Sequence, residues 1–287
     1  MEFNIMTWNV DWFRNGKRSE QEDKYCVNDC SDEDYGKIIG IVKQFLEKEN
    51  AVVFLQEVPC KYIKDDRWYE HPLYAQLLKD FPKKDYDIFM NNNGRSCCLR
   101  YTLAISKKEV YAVNDTTFCP YNNKTVQVPK NNRIISVRKD PIALFGVHMP
   151  VLKNNKTDID NIKMWDDIIQ YAQQVKNLII AGDFNAYVGC ISKETDKKYR
   201  SLLTSMQECV PADNKTFGNN RIDNILISKG TLSKNCKYDV KVQPDEEKYS
   251  DQKVQPDEEK YSDQKVQPDE EKYSDHKYVT MKLTIKD

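Results

Sequence analysis

Residues 178–187, LIIAGDFNAY, join an apolar run to a polar ending, and this stretch decides the fold. The run predicts a buried strand over residues 178–184, with Asp183 and Asn185 just where the strand ends. Alternation along a strand would send Asp183 and Asn185 to the same side, so one carboxylate and one amide would converge where the strand ends. A turn would also favour glycine, aspartate and asparagine, so this motif alone leaves both explanations open.

Further strands and helices are predicted on either side of this stretch. Apolar, strand-like runs cover residues 3–10, 51–58, 142–149 and 222–227. One face of the last segment carries Val279, Met281, Leu283 and Ile285. Helical spacing relates Ile38, Ile41, Val42 and Phe45, and again Ile162, Trp165, Ile169 and Ala172, the second group after a cap at Thr157 or Asp158. Strands mixed with helices without regular alternation predict a layered α/β sandwich.

Composition indicates one large domain over residues 1–287. No stretch approaches the roughly 18 apolar residues of a spanning helix. The amino terminus, MEFNIMTWNV, lacks the pattern of a secretory signal, so we expect a cytoplasmic protein with no membrane association. The nine cysteines include no paired spacing typical of a zinc site, which favours reduced thiols.

A unit of twelve residues, KVQPDEEKYSDQ, occurs three times in tandem over residues 241–276, and the third copy ends in histidine instead of glutamine. Each copy has two lysines against four acids, so the three copies carry −6 of the formal net charge of −1 and the rest of the chain carries +5. Such a mildly basic body suits an anionic substrate. We interpret the copies as an expanded loop before the last strand, two of them being a tandem insertion. Only the third copy supplies an imidazole, His276.

Six more polar residues stand at or near the ends of apolar runs: Asn9, Glu57, His148, Asp223, Asp275 and His276. Taken singly, each has an ordinary explanation, such as a strand end, a solvated carboxylate or a hydrogen-bonded core histidine. A core does not require so many polar groups at strand ends, whereas a reaction centre does. Together with Asp183 and Asn185, the set favours a metal site that cuts phosphate esters.

Six motifs, in their order along the chain, resemble the endonuclease/exonuclease/phosphatase superfamily of metal-dependent phosphoesterases. They are TWNVDWF (7–13), FLQEV (54–58), GVHMP (146–150), AGDFNAY (181–187), RIDNILIS (221–228) and SDHKYV (274–279). The resemblance covers nearly the whole chain. It implies a four-layered α/β sandwich in which two packed, mainly antiparallel β-sheets are flanked by helices, with the site at one edge.

The resemblance also implies a divalent cation. Mg²⁺ is expected, with Mn²⁺ as a substitute, because oxygen ligands and a small number of carboxylates suit a hard cation. Glu57 is the leading ligand, with Asn9 and Asp275 beside it.

The remaining residues receive roles in the hydrolysis of the ester. By the pattern of the superfamily, Asp183 would orient or deprotonate the attacking water while Asn185 holds the phosphate or the water. His276 would contact or protonate the phosphate, and Asp223 would accept its other ring hydrogen. His148 would add a donor to the scissile phosphate.

Three functional classes follow from this set of residues. The first is a metal-dependent phosphodiester hydrolase, a nuclease or a DNA-end-processing phosphodiesterase, with nucleic acid as substrate and no protein partner, acting as a monomer. The second is a phosphatase or phosphodiesterase for small phosphorylated molecules or lipid headgroups. The third is a catalytically silent binding protein of the same fold. The sequence leaves endonuclease and exonuclease action open.

Overall fold

The computed structural model describes residues 1–11, 32–64, 67–91, 100–119, 124–152, 159–190, 192–243 and 276–285. The strands of the amino-terminal half are β1 Glu2–Asn9, β2 Ala51–Pro59, β3 Lys61–Lys64, β4 Arg67–Glu70, β5 Tyr86–Met90, β6 Arg100–Lys107, β7 Ala112–Val113, β8 Thr116–Cys119 and β9 Lys124–Gln127. Those that follow are β10 Ile134–Lys139, β11 Ile142–His148, β12 Leu178–Asp183, β13 Met206–Glu208, β14 Asp223–Ser228, β15 Cys236–Gln243 and β16 Tyr278–Ile285. The helices are α1 Asp32–Leu46, α2 Pro72–Asp80, α3 Ile159–Gln174, α4 Lys193–Leu202 and α5 Thr231–Asn235.

Two six-stranded sheets form the centre of the fold. The first sheet has the strand order β15-β16-β1-β2-β6-β5, and the second has the order β13-β14-β12-β11-β10-β7. Each contains one parallel pair, β1 with β2 and β11 with β12, and its other pairs are antiparallel. The predicted pair of mainly antiparallel sheets is therefore confirmed.

The sheets stack in the middle of four layers because their central strands are apolar on both faces. On β2, Phe54 belongs to the core between the two sheets, and its neighbour Leu55 belongs to the core beneath α1 and α2. On β12, Ile179 lies between the sheets and Ile180 packs toward α3 and α4. Successive strand residues point to opposite faces, so a continuous apolar run fills two cores at once. The predicted layered sandwich follows from this pattern.

The strands predicted from apolar runs all occur, with shifts of one or two residues at their ends. Along β16, Val279, Met281 and Leu283 are buried, as the alternation predicts, and Lys282 between them is exposed. The predicted helix caps Thr157 and Asp158 lie outside the described residues. No helix in the described part of the chain is long and apolar enough to cross a bilayer.

The parallel pair of the second sheet ends at two polar residues of the predicted site. His148 closes β11 and is the register partner of Asp183, which closes β12. One residue earlier, Gly182 is the partner of Val147, and a Cβ built on Gly182 would lie 1.9 Å from the carbonyl oxygen of Val147. Glycine is therefore required beside Asp183 for the two strands to approach each other.

We predict that Gly182→Ala lowers the free energy of unfolding by more than about 2 kcal/mol, because the backbone of β11 must move to admit the methyl group. Gly40→Ala is the matched control, since a Cβ on this exposed helical glycine meets nothing within 4 Å. It should raise stability by about 0.5–1 kcal/mol through helix propensity. Urea unfolding of both variants measures the difference. Equal effects would contradict the steric explanation.

We propose that residues 1–287 form a single domain and that two copies of the repeat are an insertion. The loop closes on an intact hairpin, because Gln243 of β15 is the register partner of Tyr278 of β16. Residues 244–275, with most of the repeat, lie outside the described residues.

Deletion of residues 241–264 joins Val240 to Lys265 and restores the same sequence, KVQ, at the end of β15. The shortened chain should fold with an unchanged far-ultraviolet circular dichroism spectrum and keep its activity, because loop closure depends only weakly on loop length. Failure to fold would show that all three copies are needed.

Candidate active site

The predicted site residues in the described part of the chain stand at or near strand ends, on the side of the sandwich where the ends of the two sheets come together. Asn9 is the last residue of β1, His148 closes β11 and Asp183 closes β12, while Asp223 is the first residue of β14. Since Asp223 is the antiparallel partner of Asp183, the two carboxylates start side by side. The edge thus gathers residues that are far apart in the sequence.

Glu57 reaches this edge through a bulge in β2. Leu55 pairs with Leu103 and Val58 pairs with Tyr101, so two residues of β2 oppose the single residue between those partners on β6. Glu57 takes a φ of 62°, a left-handed conformation that is uncommon for a non-glycine residue. The irregular backbone redirects this side chain toward the neighbouring sheet.

A short segment of backbone fastens the two sheets together beside the bulge. The Thr102 amide of β6 donates to the carbonyl of Asn132, 2.9 Å away, and its hydroxyl donates to the carbonyl of Arg133, 3.0 Å away. The amide of His148 also donates to the Arg133 carbonyl, at 2.9 Å. Thr102 of the first sheet and His148 of the second are therefore held to the same acceptor.

Four of the side chains form a contact group across the two sheets. The Asn9 amide Nδ2 donates to Asp183 Oδ2 at 3.0 Å and lies 3.4 Å from Glu57 Oε1. His148 Nε2 lies 3.5 Å from Glu57 Oε1 and 3.7 Å from Asp183 Oδ2. Asn9 Oδ1 accepts from the backbone N–H of Asp11 at 3.1 Å. In this arrangement Asn9 acts as a donor between two carboxylates.

Asp223 and His276 form a second group beside the first. His276 Nδ1 lies 2.9 Å from Asp223 Oδ2. One potential ligand atom from each of Asp183, Asp223 and His276 lies within 4.8 Å of the others. Both groups are buried, with Asp183 and Asp223 at most 1% exposed.

Asn185 lies at the margin of the site. Its backbone N–H donates to Asp183 Oδ1 at 2.7 Å, and its side-chain Nδ2 donates to the carbonyl of Met149 at 3.0 Å. Asparagine tolerates the left-handed backbone found here, with φ at 48°. The predicted ligand Asp275 lies outside the described residues.

Several residues that support the site cannot be recognised from the sequence. The Thr216 hydroxyl accepts from the amides of Ile222, at 3.1 Å, and Asp223, at 2.9 Å, and so fixes the entry to β14. The ring of Phe217 lies 4.6 Å from the ring of His276. Trp8 is buried, as core packing requires, and its Nε1 donates to the carbonyl of His276 at 3.1 Å. Trp8 and Phe217 are distant in sequence from His276, so only the fold reveals these two contacts.

Burial among neighbouring carboxylates disfavours the ionised form of Asp183 in the site. Burial first, and the neighbouring Asp223 carboxylate second, raise the pKa of Asp183 to about 7, although His276, Asn9 and the Asn185 amide act in the opposite direction. One oxygen of Asp223, Oδ1, is buried with no hydrogen-bond partner among the described residues. The site therefore contains three carboxylates and two imidazoles in the described part of the chain, and one carboxylate oxygen has no hydrogen-bond partner there. Such an excess of oxygen ligands fits a hard divalent cation.

A family model described as the endonuclease/exonuclease/phosphatase family matches residues 6–276. The chain belongs to this family. Enzymes of the endonuclease/exonuclease/phosphatase family hydrolyse phosphoester bonds and typically depend on a divalent metal. The resemblance inferred from the six motifs is thereby confirmed.

Solved structures with the endonuclease/exonuclease/phosphatase fold are similar along nearly the whole chain. An AP endonuclease from Archaeoglobus fulgidus has a TM-score of 0.55 at 15% identity, covering 97% of this chain and 98% of its own. The 3' phosphatase NExo from Neisseria, bound to a product DNA hairpin, has a TM-score of 0.54 at 15% identity, with coverages of 97% and 98%. The endonuclease domain of TRAS1, a telomere-specific non-LTR retrotransposon, has a TM-score of 0.52 at 13% identity, with coverages of 99% and 100%. At these identities the likeness shows the fold alone. No curated protein matches the chain significantly.

We predict that the stability of the cation-free chain falls between about pH 4 and pH 7. The folded chain keeps a proton on Asp183 up to about pH 7, whereas the unfolded chain releases it near the ordinary pKa of 3.8. The folded state therefore binds more protons in this window, and each pKa unit is worth about 1.4 kcal/mol. Asp183→Asn removes this titration, so its free energy of unfolding should depend less on pH. Denaturant unfolding in chelator at pH 5 and pH 8 measures this, and parallel profiles for the two proteins would contradict it.

Proposed function

We propose that the chain is a metal-dependent phosphodiester hydrolase that acts on nucleic acid, as a nuclease or a DNA-end-processing phosphodiesterase. The observation that carries the proposal is the convergence of Asn9, Glu57 and His148 with Asp183, Asp223 and His276 at one buried sheet edge. The net charge of +5 outside the repeats suits a polyanionic substrate. Family members that act on DNA are among the proteins of similar fold.

Mg²⁺ is the proposed cofactor, with Mn²⁺ able to replace it. Glu57 would hold the ion with Asn9 and Asp275. The buried Asp223 Oδ1, which has no hydrogen-bond partner among the residues that the structure describes, supports a cation near these carboxylates. When bound, the cation would supply positive charge against the negative charge that grows on the phosphate and leaving oxygens. Asn9 would bind the ion through Oδ1, and this requires the side-chain amide to turn, because Nδ2 faces Glu57 and Asp183 while Oδ1 accepts from Asp11.

Asp183 is the proposed base for the attacking water. Without a cation, burial and the Asp223 carboxylate raise the pKa of Asp183 to about 7, so the buried carboxylate readily takes a proton, and a cation bound nearby would lower that pKa. The Asn9 and Asn185 donors fix both of its oxygens, so the carboxylate keeps one orientation. Asn185, at the margin, would hold the phosphate or the water.

His276 is the proposed phosphate contact or proton donor. Its Nδ1 lies 2.9 Å from Asp223, so in the neutral ring the proton would sit on Nδ1 and Nε2 would contact the substrate as an acceptor. In the doubly protonated ring, Nε2 would donate a hydrogen bond or a proton to the phosphate. The contacts with Phe217 and Trp8 restrain the ring and its backbone. His148 would add a second donor, next to Glu57 and Asp183.

A phosphatase for small phosphorylated molecules is the second candidate. The observation that favours it is the charge of −6 on the three repeats, which directly precede the last strand and include His276. Like charge near the site would oppose a nucleic-acid backbone more than a small substrate, unless the charges lie beyond a Debye length of about 8 Å. Substrate preference distinguishes the two candidates.

We predict that Asp183→Asn and His276→Ala each lower turnover by at least about 100-fold while the chain stays folded, because each removes a group from the proton-transfer steps. The exposed carboxylate of Asp213 offers a control, and Asp213→Asn should keep full activity. The assay uses plasmid, single-stranded DNA, RNA, abasic duplex, inositol phosphates and a simple phosphodiester, with Mg²⁺ and with a chelator.

Mg²⁺-dependent cutting of a nucleic acid that is lost in Asp183→Asn would support the leading function. Turnover of the small phosphates alone would transfer the chain to the phosphatase class. If no substrate is cleaved, the proposal is wrong and a silent binding protein becomes the better explanation.

A further inference from the structure

A polar cluster with two buried and two partly buried members lies behind the candidate active site, on the side of α4 and β13. It consists of Tyr199, Glu208, Arg221 and Asn224 and is called the α4–β13 cluster below. Glu208 Oε1 accepts from the hydroxyl of Tyr199 at 2.7 Å and from Arg221 Nη2 at 2.7 Å. Asn224 Nδ2 also donates to it, at 3.1 Å. One carboxylate oxygen thus ties together a helix, the end of one strand and the start of the next.

The cluster fixes the chain on both sides of Asp223. Two residues before it, Arg221 Nη1 donates to the carbonyl of Val210 and Nη2 donates to Glu208. One residue after it, Asn224 Oδ1 accepts from the backbone N–H of Val210 at 3.2 Å. Arg221 and Glu208 balance each other's charge, so the cluster can anchor β14 without adding net charge near the buried carboxylates.

The cluster also reaches Asp183, through Phe184. The ring of Tyr199 meets the ring of Phe184 edge-on, with centroids 5.7 Å apart. The amide of Phe184 donates to the carbonyl of Ile222 at 2.8 Å, which joins the residue after Asp183 to the residue before Asp223. Tyr199 therefore contacts the chain next to one carboxylate and, through Glu208, holds the chain next to the other.

The hydroxyl of Tyr199 is suited to a fixed role as a donor. Burial and the adjacent Glu208 carboxylate raise the pKa of Tyr199 well above its usual value, so the phenol keeps its proton. The side chain is fully buried, which separates it from any substrate. Its influence on a reaction must pass through the residues that it holds.

We propose that the α4–β13 cluster, with Tyr199 at its centre, is a positioning device that sets the separation and orientation of Asp183 and Asp223 and, through Asp223, of His276. The proposal rests on the proposed function of these three residues. Partners one step removed from reacting groups typically contribute about 10–100-fold to activity, because a displacement of about 1 Å misaligns the reacting atoms.

The test replaces Tyr199 with phenylalanine, which keeps the ring contact with Phe184 and removes the hydroxyl that donates to Glu208 and accepts from Asn224 Nδ2, 3.2 Å away. Tyr171→Phe is a closely matched control. Tyr171 is also fully buried, its ring meets Phe145 at 4.8 Å, and its hydroxyl accepts from an asparagine amide, Asn114, at 3.4 Å. Tyr171 lies on α3, and the strand residue that it contacts, Phe145, pairs with Ile180, three residues before Asp183.

Tyr199→Phe should lower kcat about tenfold and change KM less than about twofold, because the positions of the reacting groups change and substrate binding does not. Tyr171→Phe should leave kcat unchanged, even if it lowers thermal stability as much as Tyr199→Phe does. Glu208→Gln, which weakens the shared acceptor and keeps its shape, should act in the same direction as Tyr199→Phe. Equal kcat values for the Tyr199 and Tyr171 variants would overturn the proposal.

A second measurement does not depend on turnover. The chain has three histidines, His71, His148 and His276, so their ring signals can be assigned in a nuclear magnetic resonance spectrum of the whole protein. Tyr199→Phe should shift the signals of His276 and leave those of His71, while Tyr171→Phe should leave all three. If the wild-type chain has no turnover, the proposed function fails and this spectrum alone decides the positioning role. Unmoved His276 signals in Tyr199→Phe would refute it.

Discussion

Three carboxylates, those of Glu57, Asp183 and Asp223, are buried together where strands of the two sheets end, and the candidate site is built around them. Glu57, Asp183 and Asp223 are held close together by backbone that cannot easily relax, because each stands at a strand end or a bulge. Asn9 donates between two of them, and His276 pairs with the third. Burial, and after it the neighbouring Asp223 carboxylate, raise the pKa of Asp183. Grouping buried carboxylates is costly by itself, and the same grouping favours a cation and suits hydrolysis of a phosphoester.

The sequence predicts the fold well where a pattern of residues has a single physical explanation. Continuous apolar runs at β2 and β12 indicate strands buried on both faces, and both occur between two layers. A polar residue directly after such a run marks the sheet edge, as Asn9, His148 and Asp183 illustrate. Short strands such as β7 and β13 escape prediction because two or three residues carry no detectable period.

The sequence predicts the arrangement of the site less completely. It indicates that Glu57 belongs to the set, but the bulge that turns its side chain is a property of the pairing with β6. It gives no sign that Tyr199 and Glu208 support Asp223, because the contacts join elements that the sequence separates. Residue identity therefore predicts which groups come together at the site, whereas the contacts that orient them depend on the tertiary structure.

The most direct test of the account is thermal unfolding of the whole chain at pH 8 during titration with MgCl₂ and, separately, MnCl₂, with KCl of equal ionic strength as the reference. If these carboxylates bind a cation, the Tm should rise with the concentration of the divalent ion. The free energy of unfolding should increase by RT ln(1 + [L]/Kd). Glu57→Gln should weaken this rise. A Tm that responds to neither divalent ion beyond the KCl reference would contradict the claim that these carboxylates form a metal site.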